Sequence, residues 1–180
     1  TGGFPRRECW TGGRPVTTNQ DFAIHYPAQA LVGSLAGNKA LWILEGTALW
    51  FTSGMQETAV WACVDMAGTG AGGNARNLRD PKNWAFTIKT WMAERSDPSI
   101  DGLVKCTKWS EFEGAEAVKA WSLIDFLMIG HKEKLARFLA DLKTQKDTGE
   151  ASLRKVFGWS LPELDVRWRM WARAATEGAK

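Results

Sequence analysis

Two segments decide how this chain is read: Ile24-His25-Tyr26-Pro27-Ala28-Gln29 and Leu41-Trp42-Ile43-Leu44-Glu45-Gly46-Thr47-Ala48-Leu49-Trp50-Phe51. His25 and Gln29 stand four apart in a setting of apolar and small residues, so on a helix both side chains leave from one face. Glu45 is a lone carboxylate in the middle of an apolar run. Burying a carboxylate costs several kcal/mol unless it is paired or binds a cation, so Glu45 requires a partner. Gly33, Ala36 and Gly37 close the first segment before Leu41 opens the second. The pattern predicts two consecutive helices with His25, Gln29 and Glu45 as their polar positions.

The second segment resembles the Trp-Leu-x-Glu-Gly-Leu-Ala-Glu-Tyr-Phe segment of gluzincin metallopeptidases, in particular the peptidase-MA-like group. In those enzymes the Glu is the third zinc ligand, presented by the helix after the one that carries His-Glu-x-x-His. The resemblance puts Glu45 at the third-ligand position and His25-Tyr26-Pro27-Ala28-Gln29 at the place of the first motif. A second match lies near the end. Phe157-Gly158-Trp159-Ser160-Leu161-Pro162-Glu163-Leu164-Asp165-Val166-Arg167-Trp168 resembles the family's Phe-Gly-x-Ser-x-x-Glu-Leu-Asp-x-x-Trp ending. The fold it implies is mainly α, the multi-helix C-terminal part of a gluzincin-like domain with at most a short β element near the N-terminus. Residues 1–20 then form an arm and residues 21–175 a single helical domain.

The match is to the scaffold and against the chemistry. His25 matches the first ligand, but Tyr26 replaces the Glu that would act as general base, and a phenol with a pKa of about 10 cannot take a proton near neutrality as a carboxylate does. Gln29 replaces the second His, and a neutral amide is a poor zinc ligand beside imidazole. Leu49 stands where the family has a second acidic residue one turn after the ligand Glu. In Glu116-Ala117-Val118-Lys119-Ala120-Trp121-Ser122-Leu123, Ala117 takes the place of a Tyr that supports the oxyanion. Each of base, ligand and oxyanion donor is worth about two to four orders of magnitude in rate.

The expectation is therefore a non-catalytic relative with no catalytic residue and no cofactor, in which His25 and Glu45 mark a former metal site. Its old substrate groove, lined by Tyr26, Trp42, Trp50 and Trp121, would take a peptide or a partner protein. An alternative is a zinc hydrolase that recruits Asp21 or Glu57 beside His25 and Glu45, and a further one is a purely structural helical domain.

The composition fits this class without deciding it. At 180 residues with 44% hydrophobic and 24% charged residues, the chain is long enough for one sizeable core. A net charge of +3, with Lys and Arg spread along the sequence, does not argue for nucleic acid. Eleven Trp stand against one Tyr, and Trp at helical spacing reads as core or groove lining. Cys9, Cys63 and Cys106 are widely spaced, which argues against a structural zinc site; an odd count leaves at least one thiol unpaired, with one disulfide where the compartment is oxidising. No run of membrane-spanning length is present. The chain opens at Thr1-Gly2-Gly3, which reads as a fragment, and the resemblance implies an extracellular or periplasmic setting.

Along the rest of the chain the punctuation is helical. Thr18-Asn19-Gln20-Asp21 reads as a capping box for the first helix, within which Pro27 should produce a kink or delay the start. A helix is expected over Glu57 to Met66. Gly68-Thr69-Gly70-Ala71-Gly72-Gly73 satisfies G-x-G-x-x-G but lacks the strand before it and the uninterrupted helix after it, and reads as a flexible loop. Asp80-Pro81 opens a helix through about Arg95 with Trp84, Ile88 and Trp91 on one face, and Asp97-Pro98 starts a helical turn. Glu116 to Ile129 reads as a central buried helix, and Lys132 to Lys146 as a separate amphipath with Leu135, Phe138, Leu139 and Leu142 inward. Ser152 to Phe157 stops at Gly158, and Ser160-Leu161-Pro162-Glu163 caps the last helix. His131 reads as solvated or capping, Cys63 as a small buried hydrophobe, and Ser34 and Ser122 have no base beside them.

Overall fold

A computed structural model describes residues 10–11, 14–15, 19–37, 39–55, 84–145 and 148–177. It is mainly α. A two-residue antiparallel pair, β1 (Trp10–Thr11) and β2 (Arg14–Pro15), precedes helices α1 (Asn19–Ala36), α2 (Leu41–Met55), α3 (Trp84–Glu94) and α4 (Ile100–Lys105). A 3-10 turn (Trp109–Glu111) then leads to α5 (Gly114–Thr144), α6 (Glu150–Phe157) and α7 (Leu161–Glu177). The helix expected over Glu57 to Met66, the glycine-rich stretch 68–73, Asp80-Pro81, Thr18, Cys9 and Cys63 all lie outside the described residues. No described helix is long and apolar enough to cross a membrane.

Helices α1 and α2 form an antiparallel hairpin because Gly37 ends the first with a positive φ of 80°. Its N–H bonds back to the Gly33 carbonyl at 2.9 Å, satisfying one of the last free acceptors of α1. Helix α2 is apolar on nearly all sides and is buried accordingly from Leu41 through Leu49. It lies against α1 on one side and the first half of α5 on the other. The closest approach is at Gly46, where an added Cβ would meet the Ala120 carbonyl oxygen at 2.7 Å and its carbon at 2.8 Å. Gly46 is the residue that lets two helix backbones come this near.

Pro27 does not delay α1: the helix begins at Asn19, within the range read from the sequence, and runs through the proline to Ala36. The Glu116 and Lys132 helices are the two halves of the 31-residue α5, and the boundary read between them falls at His131, whose φ of −147° and ψ of 27° are non-helical. Asp97 does not cap α4. Ser99 does, its Oγ accepting from the Gly102 N–H at 3.0 Å, which frees Asp97 for a different task.

That task is to hold α7 against α5. Lys119 on α5 is fully buried, with its ammonium 2.5 Å from Asp97 Oδ2 and 3.2 Å from the centroid of the Trp168 ring. Arg169 donates to both Asp97 oxygens at 2.8 and 3.0 Å and to Asp165 at 2.7 Å. Burial, only in part offset by Asp97 and Asp165, pulls the Lys119 ammonium down to about 8. Beside this cluster Trp168 donates its indole N–H to Ser122 at 3.0 Å, so the buried hydroxyl of Ser122 is an acceptor inside the core. The cap of α7 is the expected one: Glu163 accepts from the Ser160 N–H at 2.7 Å and its own N–H returns to Ser160 Oγ at 3.4 Å. Gly158, at φ 75°, ends α6 as read from the sequence.

Candidate functional site

The i, i+4 spacing on α1 does place His25 and Gln29 on one face, and that face meets Glu45 on α2. His25 is 1% exposed and Glu45 4%, while Gln29 is half-buried at the edge. Three atoms converge. Glu45 Oε2 lies 2.6 Å from Gln29 Nε2 and 3.2 Å from His25 Nε2, and those two nitrogens are 3.1 Å apart.

Two arrangements of a neutral His25 meet these distances. With its proton on Nε2, His25 and Gln29 both donate to the same Glu45 oxygen. With the proton on Nδ1, His25 Nε2 accepts from Gln29 and turns a lone pair toward the carboxylate, which is repulsive at 3.2 Å. The first arrangement is favoured, since it gives the buried carboxylate two donors. It leaves His25 Nδ1 buried with no hydrogen-bond partner among the described residues. A bare imidazole lone pair there costs less than an unsatisfied carboxylate would.

The donor set does not fit a three-ligand zinc centre. Among the described residues no three His, Cys, Asp or Glu side chains come close enough to share a metal. His25 and Glu45 supply an imidazole and a carboxylate, and the third corner belongs to an amide. The recruited ligands of the alternative reading, the Asp21 side chain and Glu57, lie outside what the structure describes.

The other residues singled out in the sequence fall into two groups. Trp42 does not line a groove: it is 1% exposed, tilted against Phe138 at 6.1 Å, with its indole N–H bonded to the Thr148 carbonyl at 3.2 Å. Ala117 is fully buried in the core. Tyr26, Trp50 and Trp121 keep part of their surface in solvent. Tyr26 sits edge-on to His25 at 5.8 Å, while Trp50 and Trp121 stitch α2 to α5 through Asp125 at 2.9 Å and Ser53 at 3.1 Å. Burial raises the Asp125 carboxyl, and the Trp50 N–H counteracts it only in part. Ser34 bonds to the Leu31 carbonyl of its own helix, and Cys106 is a half-buried free thiol whose ionisation burial makes harder.

Comparison with protein-family models, with curated proteins and with solved structures finds no match to this chain. The two motifs and the geometry of His25, Gln29 and Glu45 therefore carry any functional reading.

Proposed function

We propose that this chain is a non-catalytic relative of gluzincin metallopeptidases of the peptidase-MA-like kind, a helical module that binds a peptide or a partner protein or supports a larger chain. The observation that carries the reading is the convergence of His25 Nε2, Gln29 Nε2 and Glu45 Oε2. The paired helices present an imidazole and a carboxylate to one point, as a metal cradle requires, and the third corner is filled by an amide that closes the pair with hydrogen bonds.

The chemistry of the substituted positions supports inactivity. Tyr26, at the general-base position, is partly exposed and offers a phenol where the family has a carboxylate. Ala117, at the oxyanion-donor position, has only a methyl group to offer, inside a packed core. A peptidase assay on a mixed peptide pool, with and without a zinc chelator, tests the reading. It expects no chelator-sensitive cleavage above background; cleavage that the chelator abolishes would overturn it.

A further inference from the structure

Helix α5 has a joint at His131. The residue before it is Gly130, whose side is open, and its own backbone leaves the helical region, so a kink separates residues 114–130 from 132–144. Side chains brace that kink. The His131 ring is held among three others: Trp159 at 5.0 Å, Phe126 at 5.1 Å and Phe157 at 6.1 Å, each close to perpendicular to it. Phe126 comes from the first half of α5, Phe157 from α6, and Trp159 from the turn that leads to α7. The imidazole is thus the piece through which the joint is fastened to its neighbours.

We propose that this box is an acid-responsive fastening, in which uptake of one proton by the His131 imidazole expels the ring from its aromatic neighbours and frees the two halves of α5 to change their angle. The argument is one of charge. Two of the three rings are already shared with a cation: the Arg167 guanidinium from α7 lies 4.9 Å over Trp159, and the Lys134 ammonium from α5 lies 5.9 Å over Phe157. An imidazolium between them is a third positive charge in a half-buried place, and Phe126 is the one ring of the three that no described cation already faces. The charged groups acting on His131 are these two cations; from α6 and the following turn it meets Phe157 and Trp159, which do not titrate. Among the described residues Glu163 on α7 acts on Arg167, but no carboxylate acts on His131 itself, and burial and both cations accordingly hold the imidazole below its ordinary 6.5.

The chain has two His residues, so a proton NMR titration of the intact protein reads both, with His131→Phe assigning the signals and Trp159→Phe assigning the Trp159 indole. The expected result is a His131 midpoint below 6.5, with the Trp159 indole resonance moving at the same midpoint. In His131→Phe, which keeps a ring in the box, the Trp159 resonance should stay fixed between pH 7 and 5. A midpoint at or above 6.5 would overturn the proposal, as would a Trp159 signal that ignores the His131 titration or an unchanged acid response in the variant. If His131→Phe does not fold, the coincidence of the two midpoints in the unaltered protein decides the matter.

Discussion

Gln29 donates its side-chain N–H to Glu45 at 2.6 Å across the α1–α2 hairpin, beside the His25 imidazole. The contact is an internal cross-link, and on the proposed reading it stands where a second metal ligand would. Without it the buried Glu45 keeps, among the described residues, only the longer bond from His25.

Replacing Gln29 with Leu should therefore destabilise the protein by about 1–3 kcal/mol, the cost of leaving a buried charged acceptor short of a donor. Gln29→Glu should cost more, because it sets a second carboxylate against the first. Urea unfolding at pH 7 measures both, and equal stability of all three proteins would contradict the cross-link.

Gly46 makes the second prediction. A methyl group there meets the Ala120 backbone as well as Ile124 Cγ1, so α2 and α5 must separate. Gly46→Ala should cost about 1–3 kcal/mol by overpacking, despite the better helix propensity of Ala. A melting temperature equal to that of the unaltered protein would show that the helices can shift cheaply.

The Lys119 cluster makes the third, with opposite results for its two partners. Asp97→Ala strands a buried ammonium and should cost about 3–5 kcal/mol, whereas Lys119→Met, which keeps volume and removes the buried cation, should cost far less. The pH dependence follows from the lowered ammonium. The unfolded chain holds the Lys proton up to 10.5 and the folded chain only to about 8, so between those values the unfolded state binds more protons and stability rises with pH. The contribution is roughly 3 kcal/mol at most. The difference between the unaltered protein and Lys119→Met, followed by chemical unfolding from pH 7 to 10, should show that rise; a flat difference would contradict it.

Much of this was legible in the sequence because the signals were local. Spacing of four put His25 and Gln29 on one face, Gly37 and Gly158 marked helix ends, and Ser160 with Glu163 announced a cap, each requiring only a turn of chain. What failed was what depends on distant partners. Trp42 looked like groove lining, but an indole that finds Phe138 and the Thr148 carbonyl becomes core. His131 read as solvated or capping at a helix boundary; the boundary is there, but nothing nearby in sequence reveals that Trp159 and Phe157 will surround the ring. Lys119 was the overlooked clue. A lysine within Ala117-Val118-Lys119-Ala120-Trp121, on a helix otherwise apolar all round, needs a buried anion, and Asp97 supplies it from 22 residues away. Asp97 was hidden in turn because Asp-Pro ahead of a helix is a familiar cap, while Ser99 was there to take that role.

The central claim is that Gln29 occupies the corner a metal ligand would hold. Its most direct test is elemental analysis after dialysis of the protein against zinc and then against zinc-free buffer, beside a Tyr26→Glu, Gln29→His variant treated alike. The account predicts that the unaltered chain retains far less than one zinc per molecule and that the variant, with two imidazoles and Glu45 at the same point, retains about one. One tightly held zinc in the unaltered chain, released by a chelator, would contradict it.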